Sequence, residues 1–342
     1  MSQLDPDQYT VVWFAPLEVE VHAALRMLDD RHDGHFPVAP GDDFVYLAGE
    51  MCNHNIVIAS FPHGQEYGTG AAAALASQVK RFFPNLWFGL LVGVAAGLPN
   101  LDTQPQRDIR LGDVLVASRS GDFPAVVAYD LGKATDNGFQ LLYNGGVLSR
   151  TESIVASAIS NIRIHTTDDT NSFSLSDYQA EVLEEQQRND KFAYPGHDKD
   201  RLFPAHTDAQ EQTVHRPLRS NPGRPRVWYG PIGSGEKLMR NAQEKNALRD
   251  KYDLIGLEME AAGIMNRVPV GVIRGVCDYG DSYKNKDWQP FAAITAAAYA
   301  KGLWNLNIPG IRDEIRGLTG DDNEVLRNRV ANLRNRPPTS HF

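Results

Sequence analysis

The chain has 342 residues, of which 42% are apolar and 23% are charged, a composition typical of ordinary globular proteins. Its 34 Lys and Arg against 43 Asp and Glu give a formal net charge of −9, which disfavours nucleic acid and anionic membranes as partners. The two cysteines, Cys52 and Cys277, exclude a disulfide scaffold. The first residues lack the basic start and apolar stretch of a signal peptide, so we expect a soluble, cytoplasmic protein.

The first half of the chain alternates short apolar runs with helical patterns. Strands are predicted at 9–14, 44–48, 55–60, 86–94, 113–118 and 125–129, and helices at 18–29, 68–83 and 151–162. The run 86–94 is apolar throughout, as expected of a central strand that is covered on both faces. The alternation predicts an α/β fold, in which a central mixed, mostly parallel twisted sheet is flanked by helices.

From residue 165 to 226 the chain is polar and rich in proline, and no apolar period persists. We interpret 165–226 as a long insertion in a single domain that spans 9–305. The insertion is either a solvated loop, or a functional element such as an active-site lid or an oligomer contact. Regular patterns then return, with strands at 227–232, 254–259 and 270–277 and helices at 236–252, 260–266 and 288–306. Residues 306–342 form a charged C-terminal tail.

Two glycine-rich stretches approach nucleotide-binding motifs, but each lacks a required residue. Residues 68–73 approach the dinucleotide pattern G-x-G-x-x-A, yet the next predicted strand ends without the acid that binds a ribose. Residues 230–237 approach a P-loop, yet Glu236 stands where the pattern needs a lysine. We therefore expect both stretches to form tight turns between strands and helices.

Acidic residues recur at the ends of predicted strands. Glu18 and Glu20 follow the first strand. Glu258 lies near the end of the strand at 254–259 and Glu260 directly follows that strand, while Asp278 follows the strand at 270–277. Strand carboxyl ends line the ligand crevice of an open α/β sheet, so this recurrence predicts a carboxylate-lined pocket. Acids at such places also cap helix N-termini, and spacing alone does not show that the side chains converge.

Longer motifs occur in order along the chain. They are APLEVE at 15–20, the loop 63–74, LVGVAAG at 91–97, DIRLGD at 108–113, GPIGSG at 230–235, GLEMEAAG at 256–263 and VIRGVCDYGDSYKNK at 272–286. These motifs resemble the nucleoside phosphorylase family that includes methylthioadenosine nucleosidase. The stretch around Asp278 is most similar to the fungal branch, whose members occur alone or as N-terminal modules of immune-receptor-like proteins. The resemblance implies a nucleoside phosphorylase-like three-layer α/β/α fold.

The resemblance also implies an activity, the hydrolysis of the N-glycosidic bond of adenine-type ribonucleosides to free base and ribose. The bond breaks through an oxocarbenium-like sugar, and the purine leaves best when its N7 is protonated. Asp278 matches the family's acid for that step, and it has to hold a proton near neutral pH. Glu20 matches the carboxylate that orients the attacking water, with Glu18 as its rival.

The substrate-binding residues follow from the same resemblance. They are Gly93, Leu238, Met239, Glu258, Met259 and Glu260. Glu260 matches the acid that binds the ribose hydroxyls, and Met259 lies against the sugar. Leu238 and Met239 match the segment that stacks on the base, where the family often has an aromatic residue. The histidines have no metal-ligand spacing such as HExxH, so we expect neither a metal nor a cofactor.

The phosphate anchor of the family's phosphorylases is missing from this sequence. Those enzymes hold phosphate with arginines, one of which lies just before the central glycine motif. Leu91 occupies that place, and Val94 replaces a hydroxyl residue nearby. An apolar pair cannot compensate for desolvating a dianion, and Glu20 would repel it. Hydrolysis is therefore favoured over its alternative, a phosphate-dependent purine nucleoside phosphorylase.

The group at the 5′ side of the sugar stays open between hydroxyl, methylthio and phosphate. Basic residues of the insertion and its approach would bind a 5′-phosphate if they clustered over the pocket. They are Arg107, Arg110, Lys199, Arg201, Arg216, Arg219, Arg224 and Arg226. The alternatives are therefore an AMP or ATP nucleosidase, or a nucleotide-sensing module of the immune-receptor type. Family members associate, so we expect a homo-oligomer, a dimer or larger, whose small-molecule partner is a purine nucleoside or nucleotide.

Overall fold

The computed structural model describes residues 2–37, 41–64, 67–136, 138–147, 149–166, 173–174, 177–187, 190–204, 213–284 and 286–305. Its strands are β1 (Val11–Phe14), β2 (Asp30–Arg31), β3 (Val45–Met51), β4 (His54–Ser60), β5 (Phe88–Gly97), β6 (Val114–Ala117), β7 (Val126–Ala128), β8 (Gly132–Thr135), β9 (Gly138–Leu141), β10 (Phe173–Ser174), β11 (Arg226–Gly230), β12 (Ile232–Ser234), β13 (Gly256–Glu258) and β14 (Val270–Asp278). Its helices are α1 (Glu18–Met27), α2 (Thr69–Phe82), α3 (Ser153–His165), α4 (Asp177–Gln187), α5 (Ala242–Tyr252), α6 (Ala261–Met265) and α7 (Gln289–Asn305). The predicted tail, 306–342, lies outside the described residues.

Within the described residues, twelve strands form one mixed sheet, and β8 pairs with β9 in a separate hairpin. The main strand order is β10-β11-β6-β14-β5-β1-β4-β3-β2. The central strand β5 runs parallel to β1 and β14, whereas β6 runs antiparallel to β14. A side branch continues from β5 through β13 and β12 to β7. The predicted α/β fold with a mixed sheet is therefore confirmed.

Helices cover both faces of the sheet, and alternate residues of β1 belong to the two cores. Val11 and Trp13 pack with α1, α3 and α7, whereas Val12 and Phe14 pack with α2 and α6. Every residue of β5 is buried, as expected of a strand between two helical layers. The three-layer α/β/α arrangement expected from the sequence is therefore confirmed.

Most predicted elements differ from the structure by a few residues at their ends, and two differ more. The strand predicted at 227–232 is two strands, β11 and β12, because Pro231 has no N–H to donate to the ladder. The helix predicted at 236–252 begins only at Ala242, where the Asn241 side chain accepts two backbone N–H groups and caps the first turn. The short strands β2, β8, β9 and β10 and the helix α4 were not predicted, since their apolar periodicity is weak.

The described parts of the predicted insertion 165–226 pack on the core. Helix α4 lies against α7, and β10 extends the sheet beside β11. Leu183, Phe192 and Leu202 are buried, so isolated apolar residues anchor the segment although no regular period runs through it. These parts are therefore packed rather than solvated, and the proposed domain limits, 9–305, stay a prediction.

Candidate active site

A cavity of about 610 Å³ opens at the carboxyl ends of β5, β13 and β14 and at the start of α1. The predicted site residues that line it are Glu18, Glu20, Leu238, Met239, Glu258, Met259, Glu260 and Asp278. The strand ends identified in the sequence therefore converge on one cavity, as the crevice rule for α/β sheets leads one to expect. Gly93 is not among the lining residues. It lies behind Glu20, and a Cβ at this position would overlap the Glu20 carboxylate.

Glu20 lies in the first turn of α1 and folds back into the protein. Its Oε2 accepts a hydrogen bond from the N–H of Leu17 at 2.9 Å, and its Oε1 accepts one from the N–H of Val94 at 2.8 Å. Burial raises the pKa of Glu20, although the charge of Arg274 opposes the shift. The side chain of Glu18, in contrast, is 78% exposed. The geometry thus favours Glu20 over Glu18 as the buried carboxylate at this end of the cavity.

Arg274 connects the buried carboxylates, and no role for it was predicted from the sequence. Its Nη2 bonds to Glu258 and lies 3.0 Å from Glu260 Oε2, while its Nη1 lies 3.7 Å from Glu20 Oε1. Burial lowers the pKa of Arg274, but the carboxylates outweigh that effect and raise it overall. A charged residue in the middle of the apolar strand β14 was the available signal, because a buried arginine needs carboxylate partners.

Glu258 and Glu260 stand on either side of Met259 at the end of β13. The Glu258 carboxylate accepts the N–H of Glu260 at 3.1 Å and that of Ala261 at 3.0 Å, and so caps α6. Burial raises the pKa of Glu260 to about 8, and the charges of nearby carboxylates add to this shift against the charge of Arg274. A single guanidinium does not neutralise three carboxylates, so at neutral pH the cluster retains a proton on Glu260.

Asp278 ends β14, and its side chain is buried beside the cavity. A bulge at Cys277 shifts the register between β14 and β5 just before it, which is a common way of redirecting a side chain next to a site. Its Oδ1 accepts the N–H of Gly280 at 2.8 Å, and its Oδ2 lies 3.0 Å from the Nζ of Lys284. Lys284 is a second residue for which no role was predicted from the sequence, and the Asp278 carboxylate raises the pKa of its ammonium against the effect of burial.

The cavity has two chemically different parts. We call the lining acids Glu20, Glu258, Glu260 and Asp278, together with their buried partner Arg274, the acidic floor. We call Lys191, Lys237, Arg240, Lys284 and Lys286 the cationic rim, because Lys284 is half-buried and the others are exposed where they line the opening. A ligand that fits both parts has a polar, uncharged portion inside and an anionic portion outside.

The basic residues considered for a 5′-phosphate lie away from the cavity. Arg107, Arg110, Lys199, Arg201, Arg216, Arg219, Arg224 and Arg226 are all described, and none of them lines the cavity. Arg110, Arg216 and Arg219 instead pair with Asp108, Asp200 and Asp113. These basic residues therefore do not cover the pocket, and three of them neutralise carboxylates of the core and the insertion.

The two glycine-rich stretches form turns that contact each other. Glu236 accepts hydrogen bonds from the Thr69 hydroxyl and from the N–H of Gly70, the latter at 2.9 Å, and so caps α2. Gly68 precedes α2 with φ +119°, a conformation that favours glycine. The acid that breaks the P-loop pattern thus occupies the helix N-terminus where a phosphate would otherwise bind.

Among the described residues, no group of three or more His, Cys, Asp or Glu side chains is arranged to hold a metal ion. None of the helices in the same ranges is long and apolar enough to cross a membrane. Both cysteines, Cys52 and Cys277, are free thiols.

The protein has the fold of nucleoside phosphorylases and methylthioadenosine nucleosidases. It is similar to 5′-methylthioadenosine/S-adenosylhomocysteine nucleosidase from Neisseria meningitidis, with a TM-score of 0.55 and 18% identity over 86% of this chain and 97% of that chain. It is similar to futalosine hydrolase of Helicobacter pylori, with a TM-score of 0.55 and 16% identity over 87% and 98% of the two chains. It is also similar to the 5′-methylthioadenosine/S-adenosylhomocysteine nucleosidase of S. pneumoniae, with a TM-score of 0.54 and 15% identity over 86% of this chain and 98% of that chain. The predicted fold is confirmed, and at these identities the likeness shows the fold alone.

One curated relative matches at higher identity. A nucleotide-binding leucine-rich repeat (NLR)-like protein from Hyaloscypha variabilis is 36% identical over 310 residues. The match covers 88% of this chain but 29% of the relative, so the chain spans less than a third of that protein's length. No protein-family model matches the sequence.

Proposed function

We propose that the protein is a purine nucleosidase that hydrolyses the N-glycosidic bond of adenine-type ribonucleosides to free base and ribose. The observation that carries the proposal is the buried Glu20, held against the N–H of Val94 on the same cavity as Asp278 and Glu260. In this set Asp278 can protonate the purine, Glu20 can take a proton from the attacking water, and Glu260 can bind the sugar. The likeness in fold to nucleosidases supports the proposal.

The reaction needs two proton transfers. As the bond between C1′ and N9 breaks, its electron pair moves to the purine, and Asp278 gives its proton to N7. Positive charge develops on the sugar above the acidic floor, which stabilises it electrostatically. Water then adds to C1′ and gives a proton to Glu20. Solvent returns one proton from Glu20 to Asp278, so that the sum is water plus nucleoside to base plus ribose.

Lys284 sets a condition on the first transfer. Its ammonium lies 3.0 Å from the Asp278 carboxylate, and only a protonated Asp278 can donate to the base. The ion pair therefore has to open and Asp278 has to take up one proton from solvent before the bound purine can receive it at N7. Lys284 is 26% exposed at its side chain, so water receives the released ammonium.

Binding of the nucleoside uses the remaining predicted residues. Glu260 is protonated at neutral pH because its pKa is raised to about 8, so its carboxyl both donates to and accepts from ribose hydroxyls. Met259 lines the cavity next to it and packs on the sugar. Leu238 and Met239 contact the base, and the apolar Leu238 gives it less stacking than an aromatic ring would.

The acidic floor favours hydrolysis over phosphorolysis. The N–H of Val94 already bonds to Glu20, and Leu91 is buried in the apolar core. The guanidinium of Arg274 is engaged by carboxylates. A phosphate dianion placed near C1′ would meet the Glu20 charge without a free cation on the floor.

The test is to incubate the protein with adenosine in phosphate-free buffer and to separate the products by chromatography. We expect adenine and ribose in equal amounts. Strict dependence on phosphate, with ribose 1-phosphate as the product, would replace the proposal by the phosphorylase alternative. Nucleotide binding without turnover, over hours at high protein concentration, would replace it by a nucleotide-sensing module, which the name of the NLR-like relative favours.

A second candidate function is an AMP or ATP nucleosidase, and the cationic rim is the observation that favours it. Five basic side chains at the mouth of an acidic cavity suit a substrate with phosphate at its 5′ side. The comparison of kcat/KM for adenosine, methylthioadenosine, AMP and ATP decides between the candidates. A preference for the charged substrates that declines with salt supports the nucleotide, because salt screens exposed charges.

A further inference from the structure

Tyr279 follows Asp278 directly, but its side chain is not among the residues that line the cavity. Its phenol donates a hydrogen bond to Asp200 Oδ1 and accepts one from Arg216 Nη1 at 3.0 Å. Burial and the nearby Asp200 carboxylate raise the pKa of Tyr279, so the phenol stays neutral and keeps its proton for this bond. The residue next to Asp278 is therefore fixed by polar contacts outside the cavity.

Asp200 and Arg216 are well placed to fix Tyr279, because they are paired with each other. Arg216 Nη2 lies 2.9 Å from Asp200 Oδ1, and Arg216 Nη1 lies 3.4 Å from Asp108 Oδ1. The side chains of Arg216 and Asp200 are buried. Both residues belong to the insertion 165–226, whereas Asp108 belongs to the core. We call Asp108, Asp200 and Arg216 the Tyr279 clamp.

The turn after Asp278 also has a second support, on the side of α5. Buried Lys245 donates from its Nζ to the carbonyl of Tyr279 at 2.8 Å. Gly280 takes φ +60°, and its N–H donates to Asp278 Oδ1 at 2.8 Å. The direction of the Asp278 carboxylate therefore depends on the peptide groups of this turn, and the turn is held between Lys245 and the clamp.

We propose that Asp200 and Arg216 are positioning residues, which hold Tyr279 and thereby aim the Asp278 carboxylate into the cavity. The described part of the insertion that carries Asp200 and Arg216 then acts as a fixed support for the proposed acid rather than as a lid. The kinetic consequence rests on the proposed function. The structural consequence, a Gly280 amide held against Asp278, does not.

Tyr279→Phe is the informative change, because it removes the hydroxyl and leaves the ion pair of Asp200 with Arg216 in place. The matched control is Tyr229→Phe, which removes a phenol hydroxyl that bonds to Tyr299 at 3.2 Å, outside the cavity. We expect Tyr279→Phe to lower kcat for base release from adenosine by about tenfold or more, with KM nearly constant, as a small misplacement of a reacting group does. We expect Tyr229→Phe to leave both constants unchanged.

An unchanged kcat in Tyr279→Phe, or an equal loss in both variants, overturns the proposal. The second measurement is amide hydrogen exchange at Gly280 in the full chain, which needs no turnover. We expect faster exchange in Tyr279→Phe than in the wild-type protein or Tyr229→Phe, and equal protection in all three overturns the proposal. If the wild-type protein releases no base, the proposed function fails, and the exchange at Gly280 still decides on the positioning role.

Discussion

The acidic floor and the cationic rim of the cavity are built in different ways. The floor comes from the ends of strands and the start of α1, and its side chains are buried and bonded to backbone N–H groups or to Arg274. The rim comes mostly from loops, and most of its side chains are exposed. The floor is thus arranged before a ligand arrives, whereas most rim side chains are free to adjust. On the proposed function, the floor carries the reaction and the rim carries the choice of substrate, so mutations in the two parts should have different effects.

The largest expected effect is at Asp278 of the floor. We expect Asp278→Asn to lower the rate of base release by roughly 10²–10⁴, because the amide keeps the size of the side chain but has no acidic proton to give. Single-turnover release of adenine measures the rate. Asp281→Asn makes the same change of charge three residues further on, at a buried acid outside the cavity lining, and should have little effect. Equal losses in the two variants would contradict the assignment of Asp278.

Glu20 and Glu18 provide the next test, since they lie two residues apart on α1 but only Glu20 belongs to the floor. We expect Glu20→Gln to lower kcat by roughly 10²-fold, the lower end of the worth of a general base. Glu18→Gln should change kcat far less, because its carboxylate is 78% exposed and lies 3.3 Å from His22 rather than in the buried cluster. Steady-state base release from adenosine measures both. The opposite order would assign the attacking water to Glu18.

The raised pKa of Glu260 predicts that the free energy of unfolding depends on pH. The pKa of Glu260 is 4.5 in a solvated chain and about 8 in the folded protein, so between these values the folded state binds more protons. The free energy of unfolding therefore falls as pH rises through this window, by at most about 1.4 kcal/mol per pH unit. Urea unfolding at successive pH values measures the slope. We expect Glu260→Gln to flatten it and Glu18→Gln to retain it, and equal slopes in all three proteins would refute the shift.

The smallest expected effect is at the rim. We expect Lys237→Met to lower kcat/KM for AMP by roughly two- to fivefold, the worth of an exposed ion pair, and to affect uncharged adenosine less. Lys80→Met removes the same charge from α2, outside the cavity lining, and serves as the control. An equal effect of Lys237→Met on AMP and adenosine would show that the rim does not select for phosphate.

The fold and the floor could be predicted from local sequence features. The apolar run of β5 is typical of a central strand, and the acids at strand ends predicted a carboxylate-lined pocket. The partner of these acids was not predicted, because the pairing of Arg274 with Glu20 joins residues that only the sheet brings together. An arginine inside an apolar strand is nevertheless a signal that a sequence alone provides.

The positions of the rim lysines and the ion pairs of the insertion could not be predicted from local sequence features. A lysine in a loop looks alike whether it faces a cavity or open solvent, so Lys237 and Lys286 carried no signal. The arginines of the insertion were open between phosphate binding and dispersed surface positions, because their charge is visible in the sequence whereas the pairing of Arg219 with Asp113 is not. Long-range ion pairs of this kind depend on the folded path of the insertion, which has no regular periodicity.

Gly93 has a consequence for comparing this protein with others of the same fold. A methyl group at this position occupies the space of the Glu20 carboxylate, so an alanine or any larger residue there displaces that acid from beneath β5. A chain that bears a side chain at the equivalent position would therefore have to place such a glutamate differently. The residue at this one position is thus coupled to the course of the acid that follows the first strand.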